Sequence, residues 1–289
     1  MTPDPSDRST STASAPFPNG YPTKTASASS PPRSLYEVCL EISNKVDNLL
    51  AESPKTALHR DTQARVREAI GVVDEAFQRY GLEEISISYN GGKDCLVLLI
   101  IILACLARRY PPPKKDESSK TQNGPSKSVP FPEKFQAVYI VSPHPFSEID
   151  DFVASSSAEY RLDVMRYELK MKEGLEAYLA DRPEIKAIFV GTRRTDPHGE
   201  RLTHFDPTDG GWPDFMRIHP VIDWHYTEIW AFIRHLGISY CPLYDQGYTS
   251  LGGTKDTQPN PKLKKDQEGG FLPAYELEGD DQERLGRDR

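Results

Sequence analysis

The densest chemistry in this 289-residue chain lies in Ser88-Tyr89-Asn90-Gly91-Gly92-Lys93-Asp94. The stretch joins Ile85-Ser86-Ile87-Ser88-Tyr89, an alternating strand pattern, to Asp94–Arg109, which reads as a helix apolar nearly all round. Glycines let backbone amides approach a ligand closely, a helix start presents its positive end, and Lys93 adds a full charge. That combination suits a phosphate. The spacing is not that of Walker A, and Asn-Gly-Gly read alone also serves as a plain tight turn. Asp94 can cap the helix, orient the Lys93 head group or hold a water on Mg²⁺. Asp196, in Arg193-Arg194-Thr195-Asp196-Pro197, follows a strand end where α/β proteins place ligand contacts, and it also fits a turn aspartate before proline. His198 and His204 stand near Asp196, Asp206 and Asp209, but no metal-ligand spacing is present, so they read as loop histidines and no metal ligand is assigned.

Elements that alternate along the chain must position these groups. Ser34-Leu35-Tyr36-Glu37 is a capping box opening a helix that runs through Leu35, Val38, Cys39, Ile42, Val46 and Leu49, and a second helix is expected over Asp61–Tyr80. Strands are expected at Phe135–Val141, Leu162–Tyr167 and Lys186–Gly191. Helices are expected at Phe146–Ser155, with Ser147 as N-cap, at Met171–Leu179 and at Asp223–Leu236. This order predicts an α/β fold: a Rossmann-like, doubly wound, mostly parallel sheet with helices on both faces and ligands outside the carboxyl ends of its strands. Residues 192–223 read as a long functional loop. Residues 237–289 read as an irregular C-terminal lid. Residues 1–34 hold eight Ser, five Thr and seven Pro, and are expected to be a disordered arm, its acidic Asp4 and Asp7 arguing against a transit peptide. Residues 111–134 read as a mobile insertion, which makes 35–289 a single domain.

Composition narrows the function. With 35 Lys and Arg against 43 Asp and Glu, the net charge of −8 opposes a general nucleic-acid binder. Four cysteines without a C-x-x-C pair fit a reducing cytoplasm, and the 13-residue apolar run Cys95–Ala107 falls short of the roughly 20 residues of a membrane span.

The Ser88–Asp94 stretch resembles the PP-motif of the adenine nucleotide α-hydrolase-like, PAPS reductase-like superfamily, where the turn holds the pyrophosphate end of ATP. Three further stretches, Gly191–Pro197, Pro207–Arg217 with Pro220–Trp224, and Tyr244–Leu251 with Thr257–Pro261, resemble the eukaryotic FAD synthases, as does Glu283-Arg284-Leu285-Gly286-Arg287. The likeness runs from about residue 35 to 287. It implies transfer of AMP from ATP to the phosphate of FMN, with Mg²⁺, giving FAD and pyrophosphate. It assigns Asn90, Asp94, Asp196, Arg284 and Arg287 to the active centre, and Ser88, Gly91, Gly92 and Lys93, with backbone near Ile87 and Ile140, to ATP. Thr192, the Asp209-Gly210-Gly211-Trp212 stretch and Ile218 are implied to line the flavin pocket. The residue types agree: Trp212, Phe215 and Met216 offer polarizable surface, Asp209 and Asp214 can accept hydrogen bonds, and Arg217 or Arg193 can meet the phosphate. An FMN phosphate, with a second pKa of about 6, is largely dianionic at neutral pH and needs no general base.

A sulfonucleotide reductase would need a cysteine near its C-terminus, and none follows Cys241. A tRNA thiolase would want paired cysteines and a basic RNA surface. A non-catalytic flavin- or nucleotide-binding module is the alternative that uses the same pocket. The expectation is a monomer acting on small molecules, apart from membranes and nucleic acid.

Overall fold

The capping box of the sequence opens the first helix: Ser34 accepts from the Glu37 N–H, and the Glu37 carboxylate accepts from the Ser34 N–H at 2.7 Å. In the computed structural model residues 33–110, 131–265 and 269–287 are described, and from Ser34 onward the chain forms one compact unit. The expected arm and most of the expected insertion lie outside the described residues. Its last four positions, 131–134, belong to the fold, since Phe131 packs edge-on against Tyr36 at 5.3 Å.

Helices α1 (Leu35–Ala51) and α2 (Ala57–Arg79) lead into strand β1 (Ile85–Ser88), and helix α3 (Lys93–Arg109) follows the turn. Then come β2 (Phe135–Ile140), α4 (Ser147–Glu159), β3 (Leu162–Tyr167), α5 (Met171–Asp181) and β4 (Ala187–Phe189). The sheet order is β3-β2-β1-β4-β6-β5. All neighbours are parallel except the last pair, so the mostly parallel doubly wound sheet is observed. From β1 the chain first winds one way through β2 and β3, then β4 returns to the other side of β1. That reversal opens a crevice above the carboxyl ends of β1 and β4.

α3 is apolar all round because it is enclosed all round: each residue from Leu96 to Leu106 is 0% exposed, packed beneath α1, α2 and α6 (Tyr226–His235). No helix among the described residues is long and apolar enough to cross a membrane.

Three expectations are corrected. Residues 192–223 are not one loop: β5 (Phe205–Pro207) and β6 (Met216–Ile218) form an antiparallel pair within them, and β6 extends the sheet beside β4. Ser147 is not the N-cap of α4; Phe146 takes that place and the Ser147 hydroxyl bonds Glu148. Residues 237–287 are less a lid than a wall, since Leu243, Tyr244, Leu263, Ala274 and Leu277 are buried in the main core. Trp230 anchors this wall, meeting Tyr240, Tyr244 and Tyr275 edge-on at 5.1, 5.1 and 5.9 Å.

Candidate active site

The turn after β1 is built around Asn90. Its Oδ1 accepts from the Gly92 N–H at 3.0 Å and from the Cys95 thiol at 3.0 Å, which leaves the side-chain NH₂ of this exposed residue for a ligand. Gly91 is held at φ +73°, and a Cβ there would lie 2.9 Å from Val153 Cγ2. Burial pushes the Cys95 thiol up to about 12, so it is an inert donor and no nucleophile. Gly191, at the end of β4, presses on the start of α3: a Cβ would lie 2.8 Å from the Cys95 nitrogen. These contacts hold the ends of β1 and β4 on either side of one cleft.

That cleft is a cavity of about 680 Å³. Ser88, Asn90, Gly92, Asp94 and Ile140 line it from the first half of the sheet, Thr192 and Asp196 from the second, and Arg284 and Arg287 from the C-terminal segment. Lys170, the N-cap of α5, whose position in the sequence carries no signal, joins them, as does Tyr244, whose hydroxyl accepts from the Lys93 N–H at 2.8 Å.

Behind the cleft lies a buried ion cluster. Lys93 Nζ donates to Asp94 Oδ2 at 3.0 Å and to Glu283, and the Arg193 guanidinium meets Asp94 Oδ1 at 2.8 Å and Glu283. Lys93 and Arg193 are 2% and 0% exposed. Asp94 and Glu283 each bridge the two cations, and Asp280 adds a third carboxylate, 3.5 Å from the Arg193 guanidinium and accepting from the Tyr226 N–H at 2.6 Å. Burial opposes ionisation of Asp94, but Arg193 and Lys93 outweigh it and hold the carboxyl below its ordinary range. Burial likewise opposes the Lys93 charge, and Asp94 and Glu283 reverse that, raising its pKa.

This geometry redistributes the expected roles. Lys93 lines the cavity with its ammonium paired to Asp94 and Glu283, and Arg193, paired to the same carboxylates, lies behind it. Further positive charge facing the cavity comes from Arg284, 42% exposed and 3.9 Å from Asp196, from Arg287, and from Lys170. Arg287 is steadied by the Leu251 carbonyl at 2.9 Å and Asp256 at 3.4 Å. Asp196 also accepts from the Arg193 N–H at 2.9 Å, closing its own turn. Ile87 and Gly91 do not line the cavity; both are buried, Ile87 in the core and Gly91 against Val153 and Phe152. Asp209, Gly210, Gly211, Trp212, Asp214, Phe215, Met216, Arg217 and Ile218 do not line it either. The β5–β6 hairpin turns at the amino end of β6, level with Ala187, whereas the cavity opens at the carboxyl end of β4. Phe215 is buried beneath the sheet with Ile188 and Tyr178, and Trp212 is 42% exposed. Glu283 was beyond reach of sequence reasoning as a partner of Lys93, since 190 residues separate them.

A switch-point cleft, a glycine turn leading into a buried helix and a cationic C-terminal wall define an α/β protein of the PAPS reductase-like class. Residues 170–259 match the phosphoadenosine phosphosulfate reductase domain family. A probable FAD synthase of Schizosaccharomyces pombe is 39% identical over 243 residues, covering 84% of this chain and 86% of that protein. The flavin adenine dinucleotide synthase of Saccharomyces cerevisiae is 34% identical, covering 87% and 82%. A probable FAD synthase of Caenorhabditis elegans is 36% identical over 77% of this chain, which spans 40% of that longer protein. Among solved structures, Candida glabrata FMN adenylyltransferase in complex with FMN and an ATP analog superposes with a TM-score of 0.79 at 28% identity, over 88% of this chain and 100% of that one. The chain belongs to the FAD synthase family.

Proposed function

We propose that this protein is an FMN adenylyltransferase that moves AMP from ATP onto the phosphate of FMN, forming FAD and pyrophosphate. An FMN phosphate oxygen bonds the α-phosphorus, and the bond from that phosphorus to the β-bridging oxygen breaks. The observation that carries the reading is the meeting of Asn90, Asp94, Asp196, Arg284 and Arg287 around one cavity.

The work left to the protein is alignment of two anions and neutralisation of their charge. The Asn90 amide and the amino end of α3 receive the β- and γ-phosphates, with Ser88, Gly92 and Ile140 along the nucleotide. Arg284 and Arg287 approach from the opposite wall, where charge gathers on the crowded phosphates. Asp94 is a positioning residue: it fixes Lys93 and Arg193, and through them the turn and the start of the Arg193–Asp196 segment. Both Asp94 oxygens already face cations, a donor set that fits Mg²⁺ carried on substrate phosphates and reached through water. When bound, the ion lowers the repulsion between nucleophile and polyphosphate.

The flavin reading unites Thr192 with the distant hairpin. α5 packs over β2 and β3, while Val190 and Arg217, on the same face of β4 and β6, stay partly exposed. Four residues separate Gly191 from Ala187, about 13 Å at 3.3 Å per residue. FMN laid along this strip, phosphate at Thr192 and ring toward Trp212 and Asp209, would pass Arg217, whose buried Nε has no partner.

The four cysteines are unpaired and buried, which fits a reducing cytoplasm, and the acidic balance fits small-molecule rather than nucleic-acid partners. Incubation with FMN, Mg-ATP and pyrophosphatase, followed by chromatography of the flavins, tests the activity. FAD should accumulate. No FAD above the blank refutes the reading, and flavin binding without turnover identifies a silent binding module.

A further inference from the structure

Glu52 closes α1 as its C-cap, His59 lies in the first turn of α2, and His235 ends α6. Their side chains converge: one ligand atom from each lies within 4.8 Å of the other two. His235 Nε2 is 3.1 Å from Glu52 Oε1 and His59 Nε2 is 3.9 Å from Glu52 Oε2, with the two imidazoles 5.1 Å apart between centroids. The His59 Nε2 is buried and has no hydrogen-bond partner. A buried ring nitrogen in that state is uncommon and asks for a ligand.

Two imidazoles and one carboxylate are a known donor set for zinc with a fourth position left open to water. Bonds of about 2.1 Å at tetrahedral angles place donor atoms about 3.4 Å apart, so the present spacing needs contraction of about 1 Å. Side-chain rotation can supply it, since Glu52 is 43% and His235 34% exposed. The donor types also fit, one carboxylate beside two imidazoles. A second group, Glu68, His204 and Asp223, is equally close but differs in its surroundings. There Arg65 holds Glu68 at 2.9 Å and Arg194 holds Asp223, so guanidinium groups already take the carboxylates. Among the described residues no Lys or Arg pairs with Glu52.

We infer that Glu52, His59 and His235 form a zinc-type divalent cation site that ties α1, α2 and α6 together. It lies outside the catalytic cleft: the ten residues of α6 put it about 15 Å from the Tyr226 end that bonds Asp280.

The test uses the full chain without a histidine tag, stripped by chelator and free of nucleotide and flavin, titrated with Zn²⁺ by calorimetry at pH 7.5. Co²⁺ serves as the spectroscopic probe, through the visible absorption of a four-coordinate ion. One equivalent should bind. His59→Ala, His235→Ala and Glu52→Gln should each weaken binding by roughly tenfold or more, the least expected for a lost direct ligand, while His204→Ala should not. Zinc should raise the melting temperature of the parent chain and leave that of the His59→Ala/His235→Ala variant unchanged. Absence of binding at tens of micromolar zinc overturns the site, as does unchanged stoichiometry and affinity in the double variant. Circular dichroism of the stripped variants should match the parent.

Discussion

Replacing Glu283 by glutamine removes one of the two carboxylates that bridge Lys93 and Arg193. The carboxylate is 6% exposed and faces Lys93 and Arg193, which are 2% and 0% exposed. Lys93 would then keep only Asp94, which it shares with Arg193, while Arg193 retains Asp280 at 3.5 Å; deleting one partner of a buried pair costs about 3–5 kcal/mol. For a domain of this size that corresponds to a fall in melting temperature of about 6–20 °C. Release of the last turn, Asp280–Gly286, is an alternative route for the strain, because Glu283 is its buried residue. The trypsin sites at Arg284 and Arg287 should therefore become labile. FAD formation should fall with either response, since both arginines depart from the cleft. The decisive comparison is a double-mutant cycle. In Glu283→Gln/Lys93→Met both partners of the lost ion pair are neutral, so the double variant should lose much less than the sum of the two single changes. The reasoning fails if Glu283→Gln melts within about 1 kcal/mol of the parent, or if the coupling falls below about 0.5 kcal/mol.

Four further outcomes follow from the same geometry. Arg284→Ala should lower kcat by about 10²–10³ with little change in thermal stability, since it is largely exposed; steady-state kinetics beside a melting curve will show both. Gly191→Ala should cost about 1–3 kcal/mol and depress activity, because the new Cβ meets backbone at 2.8 Å; an unchanged denaturant midpoint would contradict the close approach. Trp212→Ala should raise the KM for FMN by roughly tenfold with kcat and melting temperature held, whereas an unaltered KM would detach the hairpin from the flavin. For pH, the depressed Asp94 carboxyl contributes stability that is present above its unfolded value of about 3.9 and is lost as pH falls through its lower folded value. Lys93, raised, contributes below about 10.4 and loses it only at higher pH, so urea midpoints between pH 5 and 9 should owe no slope to this pair.

Much of the frame was legible because it obeys simple periodicities. The Ser34 capping box, the fully apolar α3 and the strand-turn-helix at Asn90 each carry a local signature that tertiary packing reinforced. The β5–β6 pair was hidden because three-residue strands, one of them ending in Pro207, leave no room for an alternating pattern. At the site, Asn90 and the two C-terminal arginines were legible, the latter only through family resemblance. The buried pairing of Lys93 and Arg193 was not legible, for a physical reason. A sequence shows a charge but not its partner, and the carboxylate that neutralises both is supplied 190 residues from Lys93. Lys170 has no local mark at all; the β3–α5 connection brings it to the cleft.

That long-range pairing bears on the order in which the protein is assembled. Contacts separated by so much chain carry a large loop-closure entropy and form after the local ones. During refolding, the sheet and its helices should be in place while Glu283 is still undocked, leaving Lys93 and Arg193 to share Asp94 and able to attract anions. Catalytic competence should therefore return later than the burial of α3, and added pyrophosphate should hold this intermediate by occupying the place that the C-terminal carboxylate later takes.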